Sequence, residues 1–158
     1  MTSSEIESVL KNIIRYHPVD ERIASSGQPD AEQFRAIAAA GYEMVVNLAL
    51  PTSDNALPGE GDIVSALGMT HVHIPVRWDA PQVADATLFC GIMQAAQNKK
   101  VWVHCAYNMR VSCFLYFYRK HVLGLPDEQA SYPMKDIWQP ENVWAELVAS
   151  VEKHFGSQ

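Results

Sequence analysis

Four residues separate Cys105 from Arg110 in the run Val101-Trp102-Val103-His104-Cys105-Ala106-Tyr107-Asn108-Met109-Arg110-Val111-Ser112. A thiol can attack an electrophilic centre, and a planar guanidinium can hold two oxygens of the charged species that forms. Cysteine and arginine framing a short segment in this way therefore suit nucleophilic chemistry on an oxyanion. The apolar residues before Cys105 read as a strand and those after Arg110 as a helix, so the two groups frame a tight strand-to-helix loop. Backbone N–H groups of Ala106, Tyr107, Asn108, Met109, Arg110 and Val111 then point at one place, where the helix N-terminus adds its partial positive charge. The same field favours a thiolate at Cys105. His104 reads as an orienting, hydrogen-bonded group, because a thiolate already formed needs no base. No metal and no cofactor are required by this chemistry.

Apolar runs of strand length alternate with helical patterns along the chain, which predicts an α/β sandwich with a mostly parallel sheet of four to five strands flanked by helices. An amphipathic stretch over 5–15 precedes a short extended piece at 22–27. Asp30 caps a helix with Gln33 three residues on, Phe34, Ile37 and Ala38 inward and Gly41 as the stop. Strands are expected over 43–50, 70–76 and 100–104, and helices over 62–67, 82–98 and 110–122, the last stopped by Gly124-Leu125-Pro126. The Pro- and Gly-rich stretch 51–61 is the longest loop signal. Two further helical segments, 126–138 and 140–155, complete one domain spanning 1–158.

Composition narrows the function classes. With 158 residues, 48% hydrophobic, 19% charged and a net charge of −6, the chain is an ordinary globule without the basic face that nucleic acid or an anionic membrane requires. Cys90, Cys105 and Cys113 show no pairing pattern, and the first residues lack the basic end and apolar core of a signal peptide. A cytoplasmic protein is expected; a leader removed ahead of residue 1 would place it in the periplasm. Oligomeric state is not legible.

His104-Cys105 after a strand, an arginine a few residues on and Ser112 leading into a helix resemble the loop of cysteine-dependent phosphatases of the tyrosine and dual-specificity class. Ser26-Gly27-Gln28-Pro29, Gly41-Tyr42 before Val45-Val46-Asn47-Leu48, and Ile74-Pro75-Val76 before Trp78-Asp79 extend that likeness from about Ile23 to Trp144. Together they resemble a bacterial family of small dual-specificity-phosphatase-like proteins. The resemblance implies a phosphatase-type fold with Cys105 as nucleophile, Arg110 as oxyanion clamp, Ser112 near the leaving sulfur and Asp79 as general acid, with Asp85 the fallback. It also implies a phosphorylated small molecule or protein as the partner.

The chain departs from that pattern in two places. Phosphatase loops of this class place five residues between cysteine and arginine; here there are four, so Val111 stands where the arginine usually is while Ser112 keeps the serine position. The third residue after the cysteine, commonly glycine, is Asn108, one of the few other residues at ease with positive φ. A four-residue spacing is also found in rhodanese-type sulfurtransferases. Three readings follow: a phosphatase working through a phosphocysteine, a sulfurtransferase working through a Cys105 persulfide, and a catalytically silent anion-binding module. Elsewhere, His71 and His73 share a strand face but lack a third metal ligand, Cys113 reads as core packing, and Trp138, Pro140 and Trp144 as a C-terminal helix pair packed on the core.

Overall fold

A computed structural model describes all residues, 1–158. In chain order the elements are α1 (Ser3–Lys11), β1 (His17–Pro18), β2 (Ile23–Ser26), α2 (Ala31–Ala39), β3 (Met44–Asn47), α3 (Glu60–Ala66), β4 (Thr70–His73), α4 (Val83–Ala95), β5 (Val101–His104), α5 (Met109–Phe117), α6 (Asp127–Ala130), α7 (Met134–Ile137) and α8 (Val143–Gly156). The strands form one sheet in the order β1-β2-β5-β3-β4. β2, β5, β3 and β4 are parallel and only β1 runs antiparallel, so the expected α/β class and mostly parallel sheet are what the chain adopts. No helix is long and apolar enough to cross a membrane.

Alternation of side chains along the strands divides the core between the two faces of the sheet. Ala24, Val45 and Trp102 face one side, where Leu10 and Ile13, Phe34 and Ile37, and Val64 cover them from the α1, α2 and α3 regions. Ile23, Val46, Val101 and Val103 face the other side and pack with Phe89 and Met93 of α4, Phe114 and Phe117 of α5, and Trp144, Leu147 and Val151 of α8. Because both faces are covered, β5 is buried along its whole length, which is why it reads as an unbroken apolar run.

Register places the functional end of the sheet. Ser26 of β2 and Asn47 of β3 both lie opposite His104, the last residue of β5, so three strand ends stop at one level and the chain leaves the sheet's centre at Cys105. Open parallel sheets bind ligands in the crevice at this carboxyl edge. Asp30 closes the expected capping box: its carboxylate accepts from the Gln33 backbone N–H at 2.8 Å and the Gln33 side chain accepts from the Asp30 N–H at 2.9 Å.

Several expected boundaries shift. The strands over 43–50 and 70–76 shorten to β3 and β4, since beyond Asn47 and His73 the chain turns into the loops that flank the site. The helix over 126–138 is two short helices, α6 and α7; Pro133 between them has no N–H with which to continue a helix. The helix over 110–122 begins at Met109 and passes at Tyr118–Val122 into a wider π-helical turn. β1 has no counterpart among the expected strands.

Candidate active site

The loop from β5 to α5 turns on Asn108, whose φ of 64° and ψ of 13° put a non-glycine residue in the left-handed region, as the sequence allows. Its side chain fixes the turn: Nδ2 donates to Arg15 O at 2.9 Å and to Ser25 Oγ at 3.1 Å. Gly27 closes the loop from the side. A Cβ there would stand 2.6 Å from Ala106 O, so only glycine lets the two backbones approach this closely. The neighbouring Gln28 N–H donates to the same carbonyl at 3.0 Å, and Asn55 Nδ2 reaches it at 3.1 Å from the β3–α3 loop.

With the Ala106 carbonyl held outward in this way, the N–H groups of Ala106, Tyr107, Met109, Arg110 and Val111 donate to no protein acceptor. Met109, Arg110 and Val111 open α5 and are the orphan donors that every helix start carries. Free N–H groups on either side of a left-handed residue are the arrangement from which anion-binding concavities are built, and here they run into a helix N-terminus.

Cys105 and Arg110 line one cavity of about 310 Å³, together with Ala106, Tyr107 and Met109 of the loop and Ser53, Asp54 and Trp78 from two others. Cys105 is 1% exposed and Arg110 8% exposed, so both belong to the floor and walls of the cavity. Arg110 Nη1 donates to Val76 O at 2.9 Å, which holds the guanidinium in place and leaves its remaining donors for a ligand. The shorter spacing to the cysteine thus still brings thiol and guanidinium to one cavity, through a helix that starts one residue ahead of Arg110.

Behind the loop lies a buried charge network. His104, fully buried, sets Nε2 2.8 Å from Glu60 Oε2 and Nδ1 3.2 Å from the Cys105 carbonyl. Both ring nitrogens face oxygen acceptors. Glu60 Oε2 also meets His71 Nε2 at 2.9 Å, while Oε1 accepts from Gln28 Nε2 at 2.7 Å. Burial alone would raise the Glu60 carboxyl, but the hydrogen bonds from His104, His71 and Gln28 outweigh it and hold the group well below the usual carboxylate range. A buried carboxylate therefore sits one histidine away from the candidate nucleophile.

The other residues singled out in the sequence lie apart from the cavity. Asp79 is exposed and both its oxygens are bound by Arg77, at 3.1 and 3.0 Å; these hydrogen bonds lower its carboxyl. It lines a neighbouring cavity with Trp138 and Trp144, which shares Trp78 and Met109 with the first. Ser112 is buried, donating through Oγ to Met109 O at 2.9 Å and accepting from Trp138 Nε1 at 3.1 Å. The Val111 side chain is core. His73 Nε2 is taken by Ala49 O, and His71 by Glu60. Burial pushes the Cys90 thiol up to about 12 and the Cys113 thiol up as well, so neither is a ready nucleophile.

Three contributors carry no chemical signal of their own in the sequence. Glu60, Asp54 and Asn55 fall in the stretch 51–61 that reads only as loop. Glu60 is flanked by Gly59 and Gly61, the one signal that the chain is held close there; a Cβ on Gly61 would come within 3.4 Å of His71 Nδ1. Trp138 and Trp144, expected as packing alone, also bind the site's supports: Trp144 Nε1 donates to Trp78 O at 2.8 Å, and the three tryptophan rings lie 5.3 to 5.7 Å apart.

Solved structures share this fold. A protein of Shewanella putrefaciens CN-32, described as a candidate phosphatase of the DUF442 class, is 32% identical with a TM-score of 0.84, the match covering 94% of this chain and 97% of that one. The active form of the phosphatase Tk-PTP is 21% identical, with a TM-score of 0.73 over 87% of this chain and 96% of its own. TpbA of P. aeruginosa, in a cysteine-to-serine form bound to pTyr, is 19% identical, with a TM-score of 0.66 over 87% and 83%. No family model matches the chain, and no curated protein does. The fold is that of the tyrosine- and dual-specificity-type phosphatases, and by its identity and coverage with the Shewanella protein the chain belongs to the DUF442 family.

Proposed function

We propose that the protein hydrolyses a phosphomonoester through a phosphocysteine formed on Cys105. The observation that carries this reading is the set of unpartnered N–H groups on Ala106, Tyr107 and the first three residues of α5, wrapped around a thiol and sharing its cavity with a guanidinium. Such donors are worth most where charge develops, on the equatorial oxygens of a transferring phosphoryl group. The Cys105 thiolate attacks phosphorus, the Sγ–P bond forms and the bond to the leaving oxygen breaks, that oxygen taking up a proton. Water then attacks the phosphocysteine, Sγ leaves as thiolate, and inorganic phosphate departs. Arg110 and the loop bind the three non-bridging oxygens in both steps, and no metal enters the scheme.

The substrate class in this reading is a phosphorylated small molecule or protein, bound in a cavity lined by Trp78, Tyr107 and Met109 with one cation, Arg110, and one carboxylic acid, Asp54. The pTyr bound by TpbA supports a phosphorylated substrate of this kind. The test is hydrolysis of p-nitrophenyl phosphate without added metal, wild type beside Cys105→Ser. Turnover in the wild type and none in the variant supports the reading; equal turnover in both sinks it.

A second reading, sulfur transfer through a Cys105 persulfide, is favoured by the four-residue spacing, which matches sulfurtransferase loops built around one sulfur atom. Thiosulfate treatment followed by mass spectrometry of the Cys105 peptide separates the two. One added sulfur with no phosphatase turnover selects transfer, and phosphate binding with neither reaction selects the silent module.

A further inference from the structure

We infer that Asp54 is the general acid and base of the reaction, delivered by the β3–α3 loop. The inference rests on the phosphatase reading. Asp54 is the only carboxylic acid among the residues that line the cavity with Cys105 and Arg110. The other candidate, Asp79, lines the neighbouring cavity, which shares Trp78 and Met109 with the first, and both its oxygens are already bound by Arg77. Asp54 makes no ion pair and its side chain is free to meet a ligand.

Its loop is fixed where a catalytic carboxyl needs to be fixed. Asn55, the next residue, donates through Nδ2 to Ala106 O at 3.1 Å, tying the β3–α3 loop directly to the phosphate-binding loop. Asn55 is partly buried and its Oδ1 is enclosed without a partner, so the bond from Nδ2 is the one hydrogen bond its side chain makes. The backbone folds back on both sides of the pair, with Ser53 N–H donating to Leu50 O and Ala56 N–H to Ser53 O, each at 3.1 Å. Asp54 is thereby held one residue from a direct contact with the residue that follows the nucleophile.

The protons balance through this one group. Neutral Asp54 gives its proton to the leaving oxygen as the P–O bond breaks and the Sγ–P bond forms. The resulting carboxylate takes a proton from the water that attacks phosphorus in the second step, so the cycle ends with neutral Asp54, free thiolate and phosphate.

Leaving-group dependence tests this. Asp54→Asn, Asp54→Glu and Asp79→Asn are compared with wild type on p-nitrophenyl phosphate, whose leaving group needs little protonation, and on phenyl phosphate, whose leaving group needs more. The expected result is a loss of kcat/KM on phenyl phosphate of about 10²-fold or more in Asp54→Asn, with a much smaller loss on p-nitrophenyl phosphate, unchanged vanadate affinity, and partial rescue in Asp54→Glu. Equal losses on both substrates, no loss on either, or the leaving-group pattern in Asp79→Asn instead would overturn the assignment while leaving the phosphocysteine reading in place. Absence of turnover by the wild type on both substrates would overturn the two together.

Discussion

Replacing Gly27 by alanine tests whether the β5–α5 loop is held as rigidly as its contacts indicate. The added Cβ would lie 2.6 Å from Ala106 O and 2.8 Å from Ile14 Cγ2, whereas ordinary contact begins near 3.4 Å. Ala106 O would have to retreat by several tenths of an ångström. That carbonyl already accepts from the Gln28 N–H at 3.0 Å and Asn55 Nδ2 at 3.1 Å, and the Gly27 N–H is itself bound to Ile14 O at 2.7 Å, so no single bond can yield alone. Overpacking of this kind costs about 1–3 kcal/mol. For a chain of this length each kcal/mol lowers Tm by roughly 2–4 °C, which places the fall at about 2–12 °C. The displaced carbonyl belongs to the residue after Cys105, and misplacement approaching 1 Å at a reacting centre costs up to about 10²-fold. Calorimetry and kcat/KM on p-nitrophenyl phosphate should both drop in Gly27→Ala, activity by about tenfold or more. A variant with wild-type Tm and wild-type kcat/KM would show that the loop relaxes freely and that the cradle is not fixed.

Asn108→Val should lose about 2–4 kcal/mol in urea denaturation, from a left-handed β-branched residue and two broken hydrogen bonds, whereas Asn108→Gly restores the backbone and should lose less. Equal losses would mean the left-handed turn contributes nothing. Glu60→Gln removes a carboxylate whose folded-state pKa is depressed, so its stabilisation is present above the ordinary carboxyl range near pH 4.5 and is lost as pH falls below it. Wild type should therefore lose stability steeply on acidification below about pH 5 and Glu60→Gln should not, with a deficit at pH 7 of roughly 1.5–3 kcal/mol from the charge-assisted bonds; parallel pH curves would contradict the network. Arg110→Lys keeps the charge but loses the planar fork and the bond to Val76 O, and vanadate affinity should fall about tenfold or more by titration calorimetry. Unchanged affinity would mean the guanidinium does not face the ligand.

Local signals carry far in this sequence. The capping box at Asp30 and Gln33, the apolar run of β5 and the left-handed tolerance of Asn108 all act within a few residues, and each is present in the structure. β1 leaves no such signal because His17-Pro18 is only two residues long and neither belongs to an apolar pattern. The expected strands overrun because hydrophobicity and single backbone bonds continue past the ends of β3 and β4: Leu48, Ala49, Ile74 and Val76 are buried, and the Leu48, Ile74 and Val76 N–H groups donate to His104 O, Asn47 O and Leu48 O. Contacts made across the fold lie beyond the reach of sequence spacing. Glu60 meets His104 over 44 positions and Asn55 meets Ala106 over 51, and both lie in a stretch whose prolines and glycines signal turns and nothing more. Asp79 draws attention through its place after a strand and before a proline; its neighbour two residues back, Arg77, takes up both carboxylate oxygens, a pairing that composition alone does not reveal.

The covalent intermediate is where phosphatase chemistry at Cys105 can be tested most directly. Wild-type protein turning over p-nitrophenyl phosphate would be quenched in acid, digested and mapped by mass spectrometry. One phosphoryl group on the Cys105 peptide, absent from the peptides of Cys90 and Cys113 and absent from Cys105→Ser, is the predicted result. Turnover that proceeds with Cys105 unmodified, or a phosphoryl group on any other residue, would contradict it.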